Sequence, residues 1–240
     1  MRRGRLLAVL AITSGVLVAE LVGSALTGSL ALQADAGHMA TDVAGILLAV
    51  LAVTFAAKPA TPQRTYGYYR LEILAAVVNA VLLFGVALYI LREAWLRWNA
   101  PPEVDGGLMM GFAVVGLVAN LAGLILLRSG EEHSLNVRGA YLEVLGDLLG
   151  SVAVIAAAIV ITVTGWTRAD VVASVAVALM ILPRTWSLLR EAVDVLLEAT
   201  PRGVDLAEVR QHILATPGVI DAHDLHAWTM FSTPCARLLA

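Results

Sequence analysis

The chain's 240 residues carry little charge, since 59% of them are hydrophobic and only 15% are charged. A water-soluble globule is excluded, because soluble domains have about a quarter charged residues and this apolar excess must face lipid. The net charge of −3 gives no indication of nucleic-acid binding, and the single cysteine, Cys235, excludes a disulfide framework or a thiolate metal cluster within one chain.

Six apolar stretches predict six transmembrane helices, each long enough to cross a hydrocarbon core of about 30 Å. Helix is the expected structure, because backbone polar groups in lipid must be satisfied within the segment. The first stretch follows a basic start, and we interpret it as a span rather than a removed signal peptide. The predicted spans are residues 6–26, 30–56, 71–95, 108–127, 140–164 and 170–188.

Basic residues are concentrated at the N-terminus and after the second, fourth and sixth predicted spans. Under the positive-inside rule this places both termini in the cytoplasm, and we predict a multi-pass protein of the cell inner (plasma) membrane. The residues on that side are Arg2, Arg3, Arg5, Lys58, Arg64, Arg70, Arg128, Arg138, Arg184 and Arg190, against Arg92, Arg97 and Arg168 on the other.

The composition changes after about residue 190 to that of a soluble domain. We therefore predict a transmembrane domain over residues 1–189 and a small cytoplasmic α+β domain over residues 190–240. Residues 205–214 predict a short amphipathic helix, residues 219–230 a strand, and residues 236–240 the start of its partner. These elements bury little apolar surface, so we expect the domain to be incomplete: either a partner chain completes it or the chain is a fragment.

Ionisable side chains inside the spans are the strongest indication of function, because an aspartate at a span centre costs about 2.5–3.5 kcal/mol on insertion scales. His38 and Asp42 in the second span, and Glu143 and Asp147 in the fifth, have i, i+4 spacing, which puts each pair on one helix face. One imidazole and three carboxylates suit a tetrahedral divalent cation. The alternative is ion pairing that only stabilises packing, but no lysine or arginine falls mid-span at that depth.

Three further polar residues within the spans are candidates for the translocation pathway. Glu20 and Asn120 would line a cavity, orient the metal ligands, or hydrogen-bond between helices without a direct role. Asp35, three residues before His38, is a candidate for supporting the ligands or for entry, although a solvated interfacial position is favoured. We also expect glycines to let helices approach closely at Gly15, Gly23, Gly111, Gly116, Gly123 and Gly146.

In the tail, His223, Asp224 and His226 are a candidate cytoplasmic metal site. On a strand, Asp224 and His226 would share one face, and further ligands would have to come from elsewhere, such as a second subunit. Ordinary surface histidines are an equally good interpretation.

A set of motifs in order along the chain resembles the cation diffusion facilitator family of metal/proton antiporters. The resemblance covers nearly the whole chain and includes His38, Asp42 and Asp147 within the spans, as well as the tail. The motifs are residues 26–32 (LTGSLAL), 35–38 (DAGH) with Asp42, 66–76 (YGYYRLEILAA) with Asn79, 134–140 (SLNVRGA), 145–147 (LGD) with Gly150 and Ser151, and 223–228 (HDLHAW).

This resemblance implies six helices, a ferredoxin-like cytoplasmic domain and a homodimer. It also implies a transport site at His38, Asp42 and Asp147. Zinc-transporting members usually have histidine where this chain has Glu143, and a glutamate there adds a charge that favours oxygen-preferring metals. The tail ends before the family's cytoplasmic fold would be complete.

We therefore predict a transporter, with no catalytic residues and no cofactor, that exports a divalent cation in exchange for protons. Zn²⁺ is the favoured cargo, with Cd²⁺, Co²⁺, Fe²⁺ and Mn²⁺ as alternatives. Two other classes are weighed against it. An intramembrane aspartyl protease would need a Gly-x-Gly-Asp sequence, but Val144 occupies the first glycine position. A cation channel would conduct passively and would need no tetrahedral cage.

Overall fold

The structure is a computed structural model that covers most of the chain. It describes residues 2–56, 58, 61–63, 67–68, 70–128, 135–201, 203–229 and 236–238. Within these ranges, the described side chains exclude those of residues 2–10, 49, 53, 56, 126–128, 135–143 and 236–238.

Six long helices make up most of the described chain, as the apolar stretches predict. They are α1 (Arg2–Thr27), α2 (Leu30–Ala56), α3 (Arg70–Asn99), α4 (Gly106–Arg128), α5 (Leu135–Thr164) and α6 (Arg168–Leu196). Five segments are long and apolar enough to cross a membrane: Leu30–Ala52, Arg70–Asn99, Gly106–Ile125, Val144–Thr164 and Arg168–Leu196. The described part of α1 contains a shorter apolar segment, Ala11–Thr27. The predicted helical transmembrane bundle is confirmed for these five spans, with α1 as a sixth apolar helix.

The turn between α1 and α2 follows from the residues that form it. Gly28 adopts a left-handed φ of 71°, and its N–H donates to the carbonyl of Ser24 at 2.9 Å, which ends α1. Ser29 then caps α2, because its Oγ accepts from the N–H of Leu32 at 3.1 Å. After α5, Gly165 has a φ of 70° and ends that helix in the same way.

An aspartate caps the start of α4. The Oδ1 atom of Asp105 accepts hydrogen bonds from the backbone N–H groups of Gly107 and Leu108, each at 3.0 Å. The first N–H groups of a helix have no partner within it, so this side chain stabilises the helix end. The carboxylate is also placed favourably at the positive end of the helix dipole.

The chain divides into two compact units. One consists of Met1–Val43 and Leu82–Thr185, and the other of Ala44–Val81 and Trp186–Ala240. The first unit holds α1, α4 and α5 together with parts of α2, α3 and α6. The predicted domain boundary at residues 189 and 190 falls inside α6, which continues to Leu196. That division into domains stays a prediction.

In the first unit, the beginning of α2 lies between two apolar clusters. Ala31 and Leu32 pack with residues of α4 and α5. Leu30 and Ala34 pack with residues of α3 and α6. All four side chains are at most 1% exposed. The first two turns of α2 are therefore fixed on two sides, which sets the position of the polar residues that follow.

Close packing at glycines occurs at three of the six expected positions. A Cβ atom on Gly23 would lie 2.6 Å from Cγ of Phe112, and Gly116 and Gly123 also have near neighbours. At the other three positions, no described neighbour lies within 4 Å of the added atom: Gly15, Gly111 and Gly146.

The second unit contains the predicted amphipathic helix, observed as α7 (Leu206–Leu214). Asp205 caps it by accepting from the N–H of Ala207 at 2.8 Å. Arg210 donates to the carbonyl of Ala222 at 2.8 Å and to Asp221 at 2.9 Å, so α7 holds the segment that follows it.

Two short antiparallel strands follow, β1 (Ala227–Thr229) and β2 (Ala236–Leu238). The predicted strand over residues 219–230 is wrong for most of its length. Asp224 has a φ of 56°, in the left-handed region that a strand cannot include, so pairing begins only after it. Asp224 and His226 therefore do not share a strand face. The described part of the tail contains one short helix and one strand pair, which do not by themselves show a complete α+β domain.

Candidate metal centre

Three predicted ligands come together in the first unit. Nε2 of His38 lies 3.6 Å from Oδ2 of Asp42 and 3.7 Å from Oδ1 of Asp147. One ligand atom from each residue can be chosen so that all three lie within 4.8 Å of one another. Among the described residues this is the one group of three or more metal-ligating side chains that close. The structure thus brings together three of the side chains predicted to share a site on α2 and α5, and metal binding by them stays a prediction.

Helix geometry explains how the three ligands meet. His38 and Asp42 are one turn apart on α2, so their side chains project from one face. Asp147 comes from α5, and its carbonyl accepts a hydrogen bond from Oγ of Ser151 at 3.0 Å. The carbonyl of His38 likewise accepts from Oγ of Thr41 at 2.7 Å.

The distances suit one small cation. Ligands about 2.0–2.1 Å from a tetrahedral Zn²⁺ lie about 3.3 Å from one another, so both His38 distances need to close by only a few tenths of an ångström. The side chains of His38, Asp42 and Asp147 are 11%, 19% and 3% exposed. Carboxylates so far from water need an ion, a proton or strong hydrogen bonds to compensate their lost hydration.

The fourth predicted ligand is Glu143. It lies in α5 four residues before Asp147, but its side chain is outside the described part of the structure. Its participation therefore stays a prediction.

The three pathway candidates are all buried. Glu20 is 1% exposed, Asp35 is 2% and Asn120 is 3%. The expected solvated, interfacial position of Asp35 is wrong, because the packing of α2 in the first unit encloses it. Nδ2 of Asn120 donates to Oγ of Ser151 at 3.4 Å, and Ser151 in turn bonds the backbone of Asp147. Asn120 thus supports the helix segment that carries a ligand.

Sequence reasoning missed the role of Asp170. This residue is 1% exposed in the first turn of α6. Its carboxylate accepts from Oγ of Ser29 at 2.5 Å and from the N–H groups of Leu30 at 2.7 Å and Ala31 at 3.1 Å. It is a second cap on α2, supplied from 140 residues further along the chain. An aspartate at the start of a span was visible in the sequence, but nothing there identified its partner.

The tail candidates are on the surface of the second unit. Nδ1 of His223 lies 3.2 Å from Oδ2 of Asp224, with side chains 79% and 90% exposed. His226 borders a cleft with Glu198, Leu206 and Trp228. The structure pairs His223 with Asp224 and places His226 separately, so a shared metal site in the tail stays a prediction.

Comparison with known proteins adds an independent observation. The family model for the cation efflux transmembrane domain matches residues 6–197. The metal cation efflux system protein CzcD of Cupriavidus metallidurans is 54% identical over 93% of this chain and 71% of its own length. The zinc transporter ZitB of Escherichia coli is 47% identical over 98% of this chain and 75% of its length. The cadmium, cobalt and zinc/H(+)-K(+) antiporter of Bacillus subtilis is 41% identical, covering 91% and 71% respectively.

Proposed function

The chain belongs to the cation efflux, or cation diffusion facilitator, family, and from that premise we propose that it exports a divalent metal cation from the cytoplasm in exchange for protons. The relatives are transporters rather than enzymes. The five apolar helices are those of a multi-pass membrane protein.

The buried cluster of His38, Asp42 and Asp147 is the observation that carries the proposal. Its ligand atoms lie within 4.8 Å of one another on two helices of one unit. Two acidic groups and an imidazole at that spacing can each hold either a proton or a share of a cation. A site that binds both competitively is the chemical requirement for exchanging one for the other.

Zn²⁺ is the cargo we propose first. Imidazole with carboxylate is a ligand set that zinc accepts, and the relatives are named for zinc, cadmium and cobalt. Glu143, as the fourth ligand, would give the site three carboxylates, which moves its preference toward harder ions. Cd²⁺, Co²⁺, Fe²⁺ and Mn²⁺ are therefore the alternatives to test.

Transport would proceed by alternating access. Facing the cytoplasm, the deprotonated ligands bind the cation, and rearrangement of the helices opens the site to the other side. Protons then compete for His38, Asp42, Glu143 and Asp147 and release the metal. The carrier returns protonated, which makes the cycle an exchange of metal for protons.

The surrounding organisation is part of the same proposal. Both termini would lie in the cytoplasm at the cell inner membrane, as the distribution of basic residues indicates. The tail would belong to a ferredoxin-like domain, with His223, Asp224 and His226 contributing to a metal site there. Two copies would form a homodimer, as the family resemblance implies.

The test is metal uptake by proteoliposomes under an imposed pH gradient, with Zn²⁺, Cd²⁺, Co²⁺, Fe²⁺ and Mn²⁺ compared in parallel. We expect saturable uptake that stops when the gradient is collapsed. Asp42→Asn removes a ligand and should abolish it. The matched control is Glu93→Gln, which removes a carboxylate of α3 that pairs with Arg97 and is not part of the cluster, and which should transport normally.

Two outcomes would overturn the proposal. Uptake that rises linearly with metal concentration and ignores the pH gradient would indicate a channel. Wild-type transport in Asp42→Asn would show that the cluster is not the transport site.

A further inference from the structure

Glu20 and Asp35 form a second buried acidic pair in the first unit. Glu20 comes from α1 and Asp35 from α2, and they are 1% and 2% exposed. Their carboxyl groups are close enough to interact with each other. Two carboxylates from different helices have thus been brought together in an interior where each would be costly alone.

Two glycines provide the space for this pair. A Cβ atom on Gly116 of α4 would lie 3.0 Å from Oε1 of Glu20, and one on Gly150 of α5 would lie 3.1 Å from Oδ1 of Asp35. Both distances are tighter than ordinary contact, so a larger residue at either position would press on a carboxylate. Four helices therefore surround this acidic pair, and we call the site the chamber. The helices α1 and α2 supply the two acids, and α4 and α5 supply the two glycines.

The protein does not satisfy the oxygens in this chamber. Oε2 of Glu20 and Oδ2 of Asp35 are fully enclosed and have no hydrogen-bond partner among the described residues. Within the same described part, neither carboxylate forms an ion pair with an arginine, lysine or histidine. Two adjacent buried carboxylates in that condition need a proton or a bound cation to compensate their mutual repulsion and lost hydration.

The chamber also connects to the metal centre. The Cβ position on Gly116 lies 3.4 Å from Oγ of Ser151, which bonds the backbone of Asp147. Asp35 precedes His38 by three residues on α2, and Gly150 follows Asp147 by three on α5. Both offsets point along the bundle in one direction, so the pair lies about one helical turn from the centre.

We propose that Glu20 and Asp35, with Oγ of Ser151 as a neutral ligand, form a second cation position that the exported metal occupies after the first. The inference rests on the proposed function for its direction: with cytoplasmic termini, α2 begins on the far side of the membrane, so Asp35 is further out than His38. The position is built from oxygen alone, so it is harder than the first and holds a zinc-type ion more weakly. That order favours release outward.

The test counts bound Zn²⁺ per chain by equilibrium dialysis of the full-length purified protein against ⁶⁵Zn²⁺. Four proteins are compared: wild type, Asp42→Asn/Asp147→Asn, Glu20→Gln/Asp35→Asn, and the variant with all four changes. Removing the central ligands should leave about one ion that the fourfold variant loses. Removing only Glu20 and Asp35, the outer pair, should also lower the count by about one ion, while the more tightly bound central ion remains.

Two results separate the existence of the second cation position from the proposed transport function. If the variant without central ligands binds no more Zn²⁺ than the fourfold variant, the second position does not exist, whatever the wild type transports. If that variant keeps its ion but wild-type protein in proteoliposomes shows no gradient-driven uptake, the second position stands and the transport proposal fails. Near-isosteric amides are used so that loss of an ion is not loss of folding, which a monodisperse elution profile checks.

A substitution that leaves every charge in place gives a second test. Gly116→Ala should displace Glu20 and weaken the outer ion about tenfold, a loss typical of disturbed support around a metal site, while leaving the central ion unchanged. Gly111→Ala is the control on the same helix, because a Cβ there has no described neighbour within 4 Å. Equal outer-ion affinity in the two alanine variants would overturn the assignment of this chamber.

Discussion

Two buried carboxylates lie at the first half of α2, Asp170 from α6 and Asp35 from α2 itself, and they differ in the hydrogen bonds that they receive. At its beginning, Asp170 accepts one hydroxyl and two backbone hydrogen bonds and lies at the positive end of the helix dipole. Further along, Asp35 faces another acid and has an oxygen without a partner among the described residues. Burial is almost the same, at 1% and 2%. Burial alone therefore does not separate a carboxylate that the protein satisfies from one with an oxygen that lacks a described partner.

The difference lies in what the protein supplies to each charge. A carboxylate that receives three donors is stabilised by the fold and locks two helices together. One that receives another carboxylate makes the fold less stable until a cation or proton arrives. The number of hydrogen bonds that a buried carboxylate accepts thus distinguishes a structural residue (an anchor, such as Asp170) from a residue of the proposed transport pathway (such as Asp35). Four substitutions test that distinction.

The largest expected effect is on transport, from Asp147→Asn. The change removes a metal ligand, so gradient-driven uptake should fall at least about 100-fold. The unfolding midpoint should stay the same or rise, because a buried charge is removed without breaking a helix cap. Uptake in proteoliposomes and thermal unfolding in the same detergent measure the two quantities. Uptake above about a tenth of wild type would remove Asp147 from the pathway side of the comparison.

The next effect is on stability, from Asp170→Ala. Three buried donors lose their acceptor, at about 1–3 kcal/mol for each one left unsatisfied, and partial relaxation should leave a net loss of about 2–5 kcal/mol. Equilibrium unfolding in mixed micelles gives the value. Asp170→Asn keeps one acceptor oxygen and should lose clearly less. If alanine unfolds like wild type, Asp170 is not an anchor.

A smaller effect is expected on selectivity, from Glu143→His. Replacing a carboxylate by an imidazole softens the centre, so uptake of Zn²⁺ relative to Mn²⁺ should rise about tenfold. Competition uptake with both metals in one assay measures the ratio directly. An unchanged ratio would mean that Glu143 does not reach the ion, and the centre would then consist of the three ligands described.

The smallest effect should come from Asp105→Ala. This cap on α4 is exposed and its donors can turn to water, so its loss should cost about 1 kcal/mol. Glu103→Ala, two residues earlier, is the control and should change stability by less than about 0.5 kcal/mol. A loss from Asp105→Ala as large as that from Asp170→Ala would show that burial adds nothing to a cap.

The sequence was informative where the spacing of residues along a helix indicates that they lie on one face. The i, i+4 spacing of His38 and Asp42 predicted that they share a helix face. The apolar stretches predicted the helix ends to within about five residues, except at the end of α6, which continues eight residues beyond residue 188. The cluster of His38, Asp42 and Asp147 was predictable because these are polar residues in an apolar background.

Features that depend on distant or conformational partners were not predictable. Asp170 is visible in the sequence, but its donors at residues 29–31 are about 140 positions away. The alternation over residues 219–230 predicts a strand, yet the left-handed φ of 56° at Asp224 interrupts it. The burial of Asp35 depends on packing against α5, as its contact with Gly150 shows. No local pattern contains that information.

The cap from Asp170 also implies a delay during biosynthesis between the formation of α2 and its completion. The first turn of α2 leaves the ribosome about 140 residues before the side chain that completes it. At synthesis rates of roughly 5–20 residues per second, that interval is on the order of ten seconds. During that interval the turn between α1 and α2 has only its local hydrogen bonds, which involve Thr27, Gly28 and Ser29. When α6 is synthesised, Asp170 completes the cap and joins α6 to the start of α2.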